Sequence, residues 1–181
     1  MTLAADRAAR PGPLPTTLAF VAVVFSGLFA GFLTTVLVFE ASLRSYGAAV
    51  YTQVRLIELQ HLDDLATGLL VPAILGSAAL TLAVIRRRGS RRWLTLTAVL
   101  LLLVTLVISV SISVPINTAQ LSWSVVAPPD DWSAVRDRWQ LAHAVRTTTA
   151  VLAFVLLTAT VMRLRWSRNS VEPSATNPSK G

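Results

Sequence analysis

Four stretches of the chain are predominantly apolar, the fourth with His143, Arg146 and Arg163 towards its ends, and most polar positions are gathered into the segments between them. The runs cover residues 16–39, 65–85, 94–114 and 143–164. Each approaches or exceeds the roughly 20 residues that a helix needs to cross a bilayer. None alternates polar with apolar, which argues for helices over barrel strands. The pattern therefore predicts an all-α protein, a bundle of four transmembrane helices over residues 16–166. A short segment, 1–15, precedes it, and the polar stretch 167–181 reads as a disordered tail. The first run is too long for the 7–15-residue core of a cleaved signal peptide, so it reads as an anchored helix.

The two segments joining spans one to two and three to four are themselves helix-prone. In "EASLRSYGAAVYTQVRLIELQHLDD" a turn is expected near residues 45–47. A helix should then run unbroken into span two, with Val50, Val54, Ile57, Leu62 and Leu65 close to a helical repeat. Glu58, His61 and Asp64 would share a face of it. In "PINTAQLSWSVVAPPDDWSAVRDRW" Pro115 is expected to halt span three. Asp130 or Asp131 should cap a fresh helix that continues into span four. That helix places Arg136, Trp139, His143 and Arg146 on one stripe. The uncharged part of span four, residues 147–162, covers only about 24 Å at 1.5 Å per residue. A hydrocarbon core is roughly 30 Å thick. Span four must therefore draw in its polar end, which brings Arg146 to the interface and His143 one turn above it.

Composition agrees with a membrane and narrows the chemistry. Of the 181 residues, 54% are hydrophobic and 14% charged, against about 25% charged in a soluble domain. The net charge is +7, but it is a topological signal more than a nucleic-acid signature. Arg7, Arg10, the "RRRGSRR" loop and the basic residues from Arg163 to Lys180 lie on one side of the bilayer. By the positive-inside rule both termini are cytoplasmic, in a cell membrane whose lipid the basic side contacts. Glu40, Glu58, Asp63, Asp64 and both histidines fall on the outer side, so chemistry is expected there. With no cysteine in the chain, disulfides, thiolate catalysis and zinc–thiolate sites are excluded. Thiol-dependent quinone enzymes of the four-helix type are excluded with them.

Several residues have plain structural readings. Arg146 can snorkel, and Trp123, Trp132 and Trp139 can form an interfacial belt or line a pocket. Gly27 and Gly31 make a GxxxG packing motif, and Pro72 a kink.

The run "VPINTAQLSW" followed by "DDWSAVRDRWQLAHAVRT" resembles the Pro-x-Asn, Trp, Arg-x-Arg-Trp and His-x-x-Arg pattern of the anthrone oxygenase-like proteins. These are small four-helix membrane proteins, long catalogued as a domain of unknown function. The family is named for fungal members that turn anthrones into anthraquinones. The resemblance implies Asn117, Trp139, His143 and Arg146 as site residues, with Arg138 beside them. His143 would be the base, Arg146 and Asn117 would stabilise an enolate oxygen, and Trp139 and Trp123 would hold the rings of an aromatic, lipid-soluble substrate. No cofactor is needed for such chemistry. Two other readings remain open from the residues. Glu40, His61 and His143 could converge on iron or copper, or the histidines on haem. A non-catalytic protein binding lipid or a partner is the third.

Overall fold

The computed structural model describes residues 13–85 and 90–169. The arginine loop and both end segments, where much of the charge asymmetry lies, fall outside those residues wholly or in their side chains. Helix α1 spans Pro13–Ser42, and a 3-10 turn at Leu43–Ser45 leads to α2, Ala48–Glu58. Helix α3 is Leu62–Val84 and α4 is Ser90–Ile108. A π-helical turn, Ser109–Ser113, joins α4 to α5, Val114–Gln120, and α6 is Trp132–Asn169. No strand occurs among the described residues. Four helical stretches are long and apolar enough to cross a membrane: Thr16–Ser45, Leu62–Val84, Arg92–Gln120 and Trp132–Met162. The protein is thus a multi-pass membrane protein.

The long helices pack in a ring, α1 on α3 and α6, and α4 on α3 and α6. Each is joined in sequence to its neighbour, the up-down order expected of short connections. Alanines at 19, 22, 73, 98, 150 and 153 fill the centre with Phe29, Leu33, Leu80, Leu102 and Leu157. Small side chains let the backbones approach, as packing within lipid requires. At Gly76 an added Cβ would stand 3.2 Å from the backbone nitrogen of Ala22. The GxxxG motif is used only in part. A Cβ on Gly27 would meet the Phe154 ring at 2.9 Å, whereas one on Gly31 would meet nothing within 4 Å among the described residues.

Three expectations need correction. The first outer helix does not run unbroken into span two. Its end closes in a tight turn, with the amide of Gln60 donating to the Ile57 carbonyl and that of His61 to the Glu58 carbonyl. The chain then restarts at α3, whose first turn carries Asp63 and Asp64, where the helix dipole favours negative charge. Secondly, Glu58 therefore does not share a helix face with His61 and Asp64. The burial on α2 does not follow its apolar residues. Tyr51, Thr52, Arg55 and Glu58 are buried, while Val50, Ile57 and Leu65 are exposed, Ile57 by 61%. Lipid solvates apolar side chains, so the polar face turns inward to find partners. Thirdly, Pro115 does not stop span three. A proline lacks the amide and crowds the carbonyl four residues back. The preceding turn widens instead, the amide of Val114 donating to the carbonyl of Ser109, and helix resumes through Gln120. The helix into span four does start after Asp131 and runs through without a break.

Candidate active site

The ends of α1, α3, α5 and α6 meet α2 at one end of the bundle, and there the polar side chains gather. Arg55 is the hub. Its Nη1 donates to Glu40 Oε1 at 3.1 Å and to Glu58 Oε2 at 2.6 Å. Its Nη2 donates to Asn117 Oδ1 at 2.9 Å and to Gln120 Oε1 at 3.0 Å. Its Nε donates to the same Gln120 oxygen at 3.2 Å. A guanidinium has five N–H donors, and five bonds use them. The guanidinium carbon also lies 4.2 Å from the centre of the Trp139 ring.

Asn117 extends the network. Its Oδ1 accepts a second bond from Trp139 Nε1 at 2.7 Å, and its Nδ2 donates to both oxygens of Asp63, at 2.9 and 3.0 Å. Gln140 Nε2 donates to Glu40 Oε2 at 3.1 Å and to the Glu40 carbonyl at 2.8 Å. Buried charge is costly unless paired and hydrogen-bonded. Arg55 on α2 thus binds groups from α1, α5 and α6, and α3 joins the network through Asp63 on Asn117.

Trp139 also stacks on His143, with ring centres 4.8 Å apart and planes 8° from parallel. His143 Nε2 lies 2.9 Å from the carbonyl oxygen of Leu33. A carbonyl only accepts, so this contact fixes the proton on Nε2. The other nitrogen, Nδ1, is buried without a hydrogen-bond partner among the described residues. Arg146 is in the same condition at Nε. His143 is 2% exposed and Arg146 7%, so Arg146 is folded into the bundle and does not snorkel.

Both residues line one cavity, together with Glu58, Asp63, Asn117 and the apolar Phe32, Val36, Leu62 and Ala66. Its volume is about 30 Å³, room for a molecule the size of water and well short of the range for small-molecule sites.

On α2, outside the spans, the Glu58 carboxyl is pushed up to about 7. Burial is the main cause, opposed by the charge of Arg55 and reinforced by that of Glu40. The Tyr51 hydroxyl is raised well above its ordinary value by burial and the charge of Glu40.

Of the residues read from the sequence, Asn117, Trp139, His143 and Arg146 come together. Trp139 has its ring stacked on His143 and Arg55 close to its centre, so it holds the site's own groups where a substrate-stacking role was expected. Trp123 is half-buried against Tyr51, ring centres 6.5 Å apart, and does not line the cavity. Arg138 is exposed and does not line the cavity. The trio Glu40, His61 and His143 does not assemble. His61 is exposed at the start of α3, and no group of three potential metal ligands occurs among the described residues. A pair of histidines for haem is absent for the same reason. Sequence reasoning missed Arg55, Gln120 and Gln140. The available signal was Arg55 itself, a lone basic residue in an apolar outer helix with Glu58 one turn on.

Four apolar helices closed around a buried polar cluster define a small multi-pass membrane protein with a site at one end of its bundle. The anthrone oxygenase family matches this chain over residues 61–156, more than half its length, and the chain belongs to that family. The matched segment holds Asp63, Asn117, Trp139, His143 and Arg146, while Glu40, Arg55 and Glu58 precede it. No curated protein and no solved structure matches the chain.

Proposed function

We propose that this protein is a cofactor-independent oxygenase that converts a lipid-soluble anthrone, or a similar flat phenolic ketone, to the quinone at the outer side of a cell membrane. One observation carries the reading: His143 and Arg146, each with a buried ring or guanidinium nitrogen that has no hydrogen-bond partner among the described residues, line the same cavity. An anthrone has an acidic methylene whose proton a neutral imidazole can take. His143 Nδ1 removes it, and the charge passes through the ring system to the ketone oxygen, where Arg146 stabilises it. Such stabilisation is strongest where water is excluded. The carbanion gives an electron to dioxygen, and the radical pair closes to a carbon-bound peroxide. Protonation, loss of the second methylene proton and cleavage of the O–O bond leave the quinone carbonyl and water. One O₂ is consumed per substrate, and both its atoms are accounted for.

The 30 Å³ cavity has room for dioxygen, and the rings would enter by displacing the apolar side chains Phe32, Val36, Leu62 and Ala66 that line it. Asn117 acts here by position, since its two N–H donors are directed to Asp63. It holds Arg55 and Trp139, and Trp139 holds His143. The orientation rests on the positive-inside rule, with both termini and the arginine loop in the cytoplasm. The membrane's own lipid would deliver the substrate.

The test is oxygen uptake and quinone formation by purified protein in detergent supplied with anthrone, wild type beside His143→Ala. Wild type should exceed spontaneous autoxidation with one O₂ per quinone, and the variant should lose about 100-fold or more. Wild-type protein no faster than buffer would end the oxygenase reading. Metal analysis of the same sample separates the cofactor-free route from a metal-dependent one.

A further inference from the structure

Two carboxyl groups share one nitrogen of one guanidinium. Glu40 and Glu58 both accept from Arg55 Nη1, and both are buried, at 0% and 8% exposure. They are not equivalent. Glu40 has both oxygens occupied, Oε1 by Arg55 and Oε2 by Gln140. Glu58 has one oxygen on Arg55, and its Oε1 is buried with no partner among the described residues. It is also the last residue of α2, where the partial negative charge of the helix end disfavours an anion. Like charges held this close do not both ionise readily. Glu58 is therefore the member with room for a proton, and it lines the same cavity as His143 and Arg146.

We infer that Glu58 is the proton donor of the site, delivering its proton to the oxygen that leaves when the peroxide O–O bond breaks. The inference rests on the oxygenase reading and adds the partner that His143 lacks. His143 takes the first methylene proton and returns it to the peroxide anion, giving a neutral hydroperoxide. It then takes the second proton from the same carbon. The C–H electron pair becomes the new C=O π bond, the O–O bond breaks, and the leaving hydroxide takes the Glu58 proton to become water. The Glu58 carboxylate recovers a proton from the imidazolium. Carbon loses four electrons and dioxygen gains four, so no further reductant or oxidant is required. A base alone would have to expel hydroxide into an apolar cavity, at a high desolvation cost.

The charged groups around Glu58 are Glu40 from α1, Arg55 of its own helix, Asp63 from α3, and His143 and Arg146 from α6. From α5 come Asn117 and Gln120, neither of which titrates. The carboxyl is pushed up to about 7 by burial, so it is available as an acid at neutral pH and lost above it.

Two measurements test this. In single turnovers with anthrone and dioxygen, wild-type quinone release should fall as pH rises through about 7. E58Q should release quinone about 100-fold more slowly, lack that limb, and accumulate a species with the mass of substrate plus O₂. Quinone release from E58Q at the wild-type rate would overturn the inference, as would a slowed variant that keeps the wild-type pH limb. E58D serves if E58Q does not fold: the limb should persist at a lower rate, and its loss would count against Glu58. The second measurement needs no turnover. Infrared difference titration should show a protonated carboxyl in wild type that ionises near pH 7 and is missing from the variant. Its absence sinks the role of Glu58 whatever the activity, whereas a titrating carboxyl in protein that oxidises no anthrone sinks the oxygenase reading alone.

Discussion

Arg55 shows how one side chain can hold a bundle end together and make it fragile. All its donors are used, and Glu40, fully buried, depends on it for charge balance. Removing one partner of a buried ion pair leaves the other uncompensated, at about 3–5 kcal/mol. Arg55→Met should therefore lower the unfolding midpoint in detergent sharply, which a thermal melt followed by intrinsic fluorescence can check. Arg55→Lys should recover little, because an ammonium cannot reproduce the planar fork that reaches Gln120 and Asn117 together. Glu58 gives stability a pH dependence of its own. Its carboxyl titrates near 7 in the folded protein against an ordinary 4.5, so the folded state binds the proton more tightly. That contribution is fully present below about 4.5 and is lost as pH rises through about 7. Stability measured across this window should fall for wild type and flatten for Glu58→Gln.

The elements turn outward what a soluble protein would hide. On α2 Val50 and Ile57 are exposed while Tyr51, Thr52, Arg55 and Glu58 are buried, so hydropathy alone does not mark its buried face. The α4–α5 stretch keeps its backbone bonded past Pro115 by spending one wide turn, and this carries Asn117 and Gln120 to the site on a helix instead of a loop. Contact between α1 and α3 is close at Gly76, where a side chain would press on Val21 Cγ1 and on the Ala22 backbone. Gly76→Val should cost about 1–3 kcal/mol through overpacking. Gly31→Ala should change stability by less than about 0.5 kcal/mol, since its Cβ enters open space. Melting both variants side by side separates the glycine that packs from the one that merely completes a motif.

Across the whole molecule, the helix termini that build the Arg55 cluster lie at one end of the bundle, and the last turn of α3 and the first of α4 at the other; the positive-inside rule, applied to the sequence, points the first end outward. The orientation this implies can be measured simply, because the chain has no native cysteine. Tyr46→Cys, at an exposed position between α1 and α2, should react with a membrane-impermeant maleimide on intact cells. Lys180→Cys should react only after permeabilisation. The reverse pattern would place the site on the cytoplasmic face and require a substrate from that side.

The sequence by itself determined the number and approximate place of the spans, the end at which polar chemistry collects, and the stripe of Trp139, His143 and Arg146. These are local properties: an apolar run of sufficient length has one stable place, and helical spacing places neighbours on a face. Tertiary structure decided what each polar group faces. Arg55 finds Glu40 15 positions away, and Asn117 and Gln120 62 and 65 away, distances over which periodicity carries no information. It also decided which face of α2 turns inward, because beside lipid an apolar stripe no longer marks the core. The separation of His61 from His143, and the choice of the free imidazole nitrogen, were settled by a turn and by one backbone carbonyl, at Leu33. Neither the turn's direction nor the carbonyl's position is written in the residues it acts on.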